Sequence, residues 1–253
     1  MAEWDPPSWR LRLDLHGARC GERPRSGVDR RPKRPGHLHR RRSGHGGSSP
    51  GWGGGLFAIQ QGGLDRECRA RCSEALAARP FDGYAVGGLA VGEPTERLYE
   101  GVEAFAPMLP EDRPRYLMGV GYPEDILYAV ACGVDLFDCV LPTRSARTGK
   151  VFTSRGELAI KNAVHGDDDR PLDPDCLCPT CALYSRGALR HLFVSREATS
   201  VVLLTVHNLY YFLGLMRSAR EAIMAGRYTR FRRRVELARS HDGEPDDPEH
   251  TER

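Results

Sequence analysis

Arg115 to Val140 reads RYLMGVGYPEDILYAVACGVDLFDCV, and the fold is decided here. The run Arg115–Val120 is apolar and predicts a strand. Pro123-Glu124-Asp125 starts a helix, because proline presets the first turn and acids favour its positive end; Gly133 stops it. Val134–Val140 follows as the next strand. Strand, helix and strand in so short a stretch imply parallel strands joined by a right-handed crossover.

The same grammar runs upstream. Leu56–Gln60 (LFAIQ) predicts a strand ending in the turn Gln61-Gly62-Gly63. Leu64, Cys68, Cys72 and Leu76 recur every four residues, the apolar stripe of a helix. Gly83–Val86 (GYAV) is the next strand, closed by Gly87-Gly88, and Thr95–Phe105 is the next helix. Four such strands predict an α/β fold, either an open doubly wound sheet or half of a (β/α)8 TIM barrel. Both architectures put their chemistry at the C-terminal ends of the strands. Those ends carry Gln61, Gly87-Gly88, Met118 and Asp138.

Downstream the pattern breaks. Val151–Thr153 and Leu158–Ile160 flank Ser154-Arg155-Gly156 as a hairpin, a cysteine cluster follows, and a long helix is predicted from about Ser200 to Ala225. Leu203, His207, Tyr211 and Leu215 fall on one face of it. This organises the chain into a partial barrel over 56–239 with an inserted metal-binding subdomain at about 148–216. An irregular leader (1–55) and an acidic, disordered tail (240–253) flank it.

Composition narrows the class. The chain has 253 residues, 40% of them apolar and 28% charged, which excludes wholesale disorder. No run of about 18 consecutive apolar residues exists, which argues against a membrane span. The first residues have no apolar core of a secretory signal, so a cytoplasmic location is expected. Net charge is uneven: residues 1–50 hold 12 Lys+Arg against 5 Asp+Glu, a local +7, while the rest of the chain sums to −4. The leader reads either as a basic arm for nucleic acid or as an unstructured or wrongly assigned start.

Cys176, Cys178 and Cys181 lie within six residues, too close for a disulfide framework, and read as metal ligands. Zinc takes four nitrogen or sulfur ligands in a tetrahedron. His207 is the preferred fourth because an uncommitted imidazole amid an apolar stripe is costly; His191 is the rival. Four protein ligands leave no open position, so the zinc is structural. Asp138 ends the apolar run Leu136–Val140, where an acid is expensive to bury without partners or a task, so it is either catalytic or a buried acceptor. Asp135 is explained more simply as a residue leading into the strand. The loop Pro142–Arg147 follows, with two arginines and two hydroxyls suited to phosphates or guanine edges.

Taken in order, FAIQQGG (Phe57–Gly63), FDGYAVGGLAVGE (Phe81–Glu93), PRYLMGVG (Pro114–Gly121), GVDLFDCVLPTRSAR (Gly133–Arg147), PLDPDCLCPTC (Pro171–Cys181) and VHNLYYFLGLM (Val206–Met216) resemble the tRNA-guanine transglycosylases, or queuine tRNA-ribosyltransferases. The resemblance implies the C-terminal half of a (β/α)8 barrel with a zinc subdomain. It also implies exchange of guanine at the tRNA wobble position for a 7-deazaguanine, in queuosine biosynthesis. Asp138 matches the nucleophile, which would form a covalent aspartyl–ribose intermediate in the manner of retaining glycosidases. Gln61, Gly87, Gly88, Leu89 and Met118 match the base pocket. Gly119, Thr143, Arg144, Ser145, Ala146 and Arg147 match tRNA contacts, and Cys176, Cys178, Cys181 and His207 the zinc ligands. A homodimer is implied as well.

One departure is large. The family's DSGGFQ-type motif, whose aspartate transfers protons, and a second base-gripping aspartate have no counterpart here, so the chain is expected to be N-terminally truncated. Alternative readings are a non-catalytic tRNA-binding or regulatory subunit, or a zinc-stabilised RNA-binding module.

Overall fold

The structure, a computed structural model, describes residues 12–13, 55–90, 92 and 94–240. Five parallel strands form one sheet in sequence order: β1 (Arg12–Leu13), β2 (Leu56–Gln60), β3 (Gly83–Val86), β4 (Arg115–Met118) and β5 (Leu136–Asp138). The crossovers are α1 (Arg66–Ala77), α2 (Thr95–Phe105) and α3 (Pro123–Ala131).

Within the stretch expected to be an irregular leader, Arg12 and Leu13 pair with Leu56 and Phe57. The remainder of the leader, the tail after Ser240, and Val91 and Glu93 of the loop after β3 lie outside the described residues.

The sheet is apolar on both faces, as a covered parallel sheet must be. On one face Ala58, Tyr84, Val86 and Leu117 pack with Leu98, Val102 and Phe105 of α2 and with Ile126 and Ala129 of α3. On the other, Phe57, Ile59, Ala85 and Tyr116 form a second cluster. Register fixes which residue faces which way: Ile59 pairs with Ala85, Ala85 with Tyr116, and Tyr116 with Leu136.

Two boundaries differ from the sequence reading for local reasons. The helix expected from Leu64 begins at Arg66, because Gly62 and Gly63 hold positive φ and Asp65 caps α1 by accepting from Cys68 N at 2.9 Å. Of the expected stripe Cys72 is buried and Leu76 packs on the core, while Arg69 and Ser73 complete the buried face in place of Leu64 and Cys68. The last strand shrinks to three residues because Gly133 and Val134 still close the end of α3 through bonds to Val130 O and Ala129 O.

Beyond β5 come α4 (Leu141–Arg147), the antiparallel hairpin β6 (Lys150–Thr153) and β7 (Gly156–Ala159), then α5 (Pro179–Leu183), α6 (Arg186–Val194), α7 (Ala198–Met224) and α8 (Tyr228–Ser240). α7 is long and apolar enough to cross a membrane. Its polar interruptions break any run of consecutive apolar residues, which is why the sequence argument passed over it. Here it is the spine of the C-terminal part, burying Leu204, His207, Asn208, Phe212 and Leu215. Asn208 ties two elements, β6 and α4, to it: Oδ1 accepts from Phe152 N at 3.0 Å, while Nδ2 donates to Pro142 O at 2.9 Å and Lys150 O at 3.2 Å.

Candidate functional site

The C-terminal strand ends form a row. Met118 pairs with Asp138, one step beyond the Gln60–Val86–Leu117–Phe137 row, so both point to the face that carries Tyr116. Gln61 and Gly87 follow directly on the ends of β2 and β3. Asp138 is exposed, which corrects the expectation of a buried carboxylate: it is the last residue of the strand at the edge of the described sheet. It is held nonetheless. Its Oδ1 accepts from Tyr116 Oη at 2.6 Å and from Gly119 N at 3.0 Å. Burial, then the Asp138 carboxylate, push the Tyr116 phenol well above the ordinary tyrosine range, so it stays a donor. One carboxylate oxygen is thus fixed by two donors.

Sequence reasoning missed Tyr116. The signal was strand parity, since a residue two before Met118 shares its face and stands one step from Asp138.

Gln61 lies against the glycine pair. A Cβ on Gly87 would come within 2.6 Å of Gln61 Nε2 and 2.5 Å of Ile59 Cγ2. Gly88 has φ +68, and a Cβ there would stand 3.3 Å from Gln61 Oε1. The bare backbone at Gly87-Gly88 is what lets the amide lie there. Leu89 is buried beneath, in the helix-side core.

The segment after Asp138 corrects another expectation. Leu141–Arg147 is a short helix, not a loop, with Pro142 in its first turn. Ser145 and Ala146 are buried, so of the five Thr143–Arg147 residues only Arg144 and Arg147 are fully presented to solvent, with Thr143 half-buried.

The second cluster joins α5 to α7. Cys176, Cys178, Cys181 and His207 bring their ligand atoms within 4.8 Å of one another. His207 Nδ1 stands 3.7, 3.6 and 3.3 Å from the three sulfurs, while Nε2 donates to Phe152 O at 2.9 Å. That second bond fixes the tautomer and leaves Nδ1 to ligate, the usual arrangement behind a metal-bound histidine. Bonds of about 2.3 Å to sulfur and about 2.0–2.1 Å to nitrogen at tetrahedral angles require nitrogen–sulfur edges of about 3.6 Å. The three observed edges match, so the residues fit zinc.

Burial works against a charged Cys178, but His207 and the Cys181 backbone outweigh it and bring the thiol down to about 6. The sulfurs push His207 up to about 12 against its own burial, so with no cation between them the imidazole shares a proton with the thiols, and a metal would have to displace it to take Nδ1. The rival His191 is exposed on α6 and outside the cluster.

A family model described as queuine tRNA-ribosyltransferase matches residues 38–241. A queuine tRNA-ribosyltransferase of Dinoroseobacter shibae is 57% identical over 193 residues, 76% of this chain and 51% of the relative. One from Syntrophobacter fumaroxidans is 52% identical over 186 residues, 74% of this chain and 50% of the relative. One from Sphingopyxis alaskensis is 54% identical over 178 residues, 70% and 47%. The chain spans about half the length of these curated relatives. With the family model matching well over half of the chain, the chain belongs to the queuine tRNA-ribosyltransferase family.

Proposed function

We propose that this chain carries the nucleophile half of a tRNA-guanine transglycosylase, its sheet being the C-terminal half of a (β/α)8 barrel and residues of about 148–216 its zinc subdomain. The observation that carries the reading is the oriented Asp138 carboxylate, held by Tyr116 and Gly119 beside Met118 at the same sheet end that Gln61 and Gly87 follow. The free oxygen of Asp138 attacks C1′ of the wobble nucleoside. The C1′–N9 bond breaks, guanine leaves with the electron pair, and an aspartyl–ribose ester joins RNA to protein. The departed guanine anion takes up a proton from solvent, a ring nitrogen of the incoming 7-deazaguanine gives up its own proton and displaces the carboxylate, and two inversions retain configuration.

Gln61 and the Gly87-Gly88 backbone contact the base, Met118 walls it with Leu89 packed behind the glycines in the helix-side core, and Arg144 and Arg147 meet RNA beside it. Cys176, Cys178, Cys181 and His207 would hold zinc, which cross-links α5 to α7. The proton-transfer carboxylate of the family motif has no counterpart in the described residues.

The test is exchange of labelled guanine into a tRNA with guanine at the wobble position, with denaturing electrophoresis to trap the RNA–protein ester. Ester formation by the wild-type chain and its loss in Asp138→Asn are expected. RNA binding with no ester, indifferent to Asp138→Asn, overturns the reading in favour of a zinc-stabilised RNA-binding module.

A further inference from the structure

Helix α8, with the residue before it, sorts its arginines by face. Residues 227–240 hold six arginines against one acid, Glu236, although the chain beyond residue 50 sums to −4. Two of the six are committed to packing. Arg232 pairs with Glu236 at 2.6 Å and lies over the Tyr128 ring, while Arg239 pairs with Glu124 and donates to Thr153 O at 3.2 Å. The other four, Arg227, Arg230, Arg233 and Arg234, are exposed, and none makes an ion pair among the described residues. Together they line one open groove of about 720 Å³, in which Leu237 is the one apolar side chain.

The make-up of this surface is wrong for a lipid or a protein partner and right for a polyphosphate. Phe231, Tyr228 and Val235 face inward, clustered with Leu127 of α3 and with Leu215, Ala219 and Ala222 of α7, so α8 keeps no apolar face to enter a membrane. No aromatic anchor lines the groove, where a protein interface would concentrate its binding energy. Guanidinium forks match phosphate oxygens, and each phosphate they neutralise releases counterions from the nucleic acid. Position agrees. Glu124, which holds Arg239, lies in the first turn of α3, just beyond the C-terminal end of β4. α8 therefore reaches the side of the sheet where Asp138 stands, the side from which RNA must approach.

We propose that Arg227, Arg230, Arg233 and Arg234 form a second RNA-binding face, which holds backbone phosphates of the tRNA away from the wobble nucleoside. The proposal rests on the tRNA reading above and adds to it a contact that reads no base. The α8 face supplies affinity and orientation, and the strand ends supply chemistry.

The test uses the full chain carrying Arg227→Gln, Arg230→Gln and Arg233→Gln together, which spares Arg234 over the Phe231 ring, and the matching triple Lys variant. Zinc content and thermal midpoint establish that each is folded. Affinity for a tRNA with guanine at the wobble position is then measured across a KCl series. The Gln variant is expected to bind about tenfold or more weakly than wild type near physiological salt, with a log–log salt slope shallower by about 2–3, as the loss of three phosphate contacts requires. The Lys variant should keep the wild-type slope. A folded Gln variant with wild-type affinity and slope overturns the proposal. So does an unchanged tRNA slope beside lost binding of polyglutamate, which makes the face a site for an acidic protein. The base-exchange reading is judged separately: a wild-type chain that binds tRNA but forms no ester defeats that reading, while the salt slope still decides the arginines. A wild-type chain that binds no tRNA overturns both.

Discussion

Tyr116 Oη donates to Asp138 Oδ1 at 2.6 Å, across neighbouring parallel strands and at the end of the sheet where the chemistry is placed. A hydrogen bond to a charged group is worth about 1.5–3 kcal/mol, so Tyr116→Phe should slow ester formation roughly ten- to a hundredfold. RNA affinity should not change, because the phenol faces the carboxylate. Ester yield against time, at saturating RNA, checks this.

The same pair makes a spectroscopic prediction. Burial and then Asp138 raise the Tyr116 phenol, so its ionisation opposes folding only as pH rises beyond the ordinary tyrosine value. Asp138→Asn removes the second cause and should let the phenol ionise at lower pH than in wild type. Phenolate absorbance, with Tyr116→Phe as the blank, reads the difference.

Gly87→Ala tests the cradle. The new methyl meets Gln61 Nε2 and Ile59 Cγ2 inside contact distance, and the Gln60 carbonyl at 3.1 Å leaves it little room to shift. Overpacking of this kind costs about 1–3 kcal/mol, and the amide is the freer of the neighbours. Base affinity should fall about tenfold or more while zinc content stays at the wild-type level. Calorimetric titration with guanine, beside metal analysis, separates the two.

What the sequence made legible was whatever a short-range rule governs. Proline, acid and glycine bounded α3, and the cysteine spacing with a histidine on an apolar stripe identified the Cys3His cluster before any coordinates. What it hid depended on long-range registry. Tyr116 sits in an apolar run like any core aromatic, and only pairing with β5 brings its hydroxyl to Asp138. No local pattern singles out Arg69, whose burial is explained by the loop carbonyls of Gln60 and Gly63 that accept from it. Pro142–Arg147 has loop composition, yet the Asn208 side chain bonded to Pro142 O pins it against α7 as a helix.

Asp168 offers an acid-stability prediction far from the site. Its side chain is 7% exposed and accepts from Arg170 Nε at 2.9 Å and Arg186 Nη1 at 3.2 Å, the latter linking the loop to α6. Hydrogen bonds from Arg170 chiefly, with the charge of Arg186, hold its carboxyl far below the ordinary range despite burial. A depressed carboxyl contributes stability that is present above about pH 4 and is lost as pH falls further. Asp168→Asn should cost about 1–3 kcal/mol at neutral pH by weakening its charged hydrogen bonds to Arg170 and Arg186, the latter keeping Pro171 O and Leu172 O as acceptors. The gap from wild type should narrow in acid. Urea denaturation at pH 7 and pH 3 measures both.

The metal cluster gives the sharpest structural test, because its two candidate histidines make opposite predictions. His207 Nδ1 faces all three sulfurs while Nε2 is committed to Phe152 O; His191 is exposed on a different helix. His207→Ala removes a ligand and strands three thiols beside α7, so zinc content should fall well below one per chain. Structural zinc contributes directly to folding free energy. Losing even a few kcal/mol of it in a chain this size lowers the thermal midpoint by about 10 °C. The effect should be strongest where α5 meets α7, since Thr180 Oγ1, bonded to Leu203 O at 2.8 Å, is the neighbouring tie between them. His191→Ala should bind zinc and melt like wild type. Metal analysis and melting curves on the two variants decide the ligand set, and zinc loss in His191→Ala instead of His207→Ala would reverse the assignment.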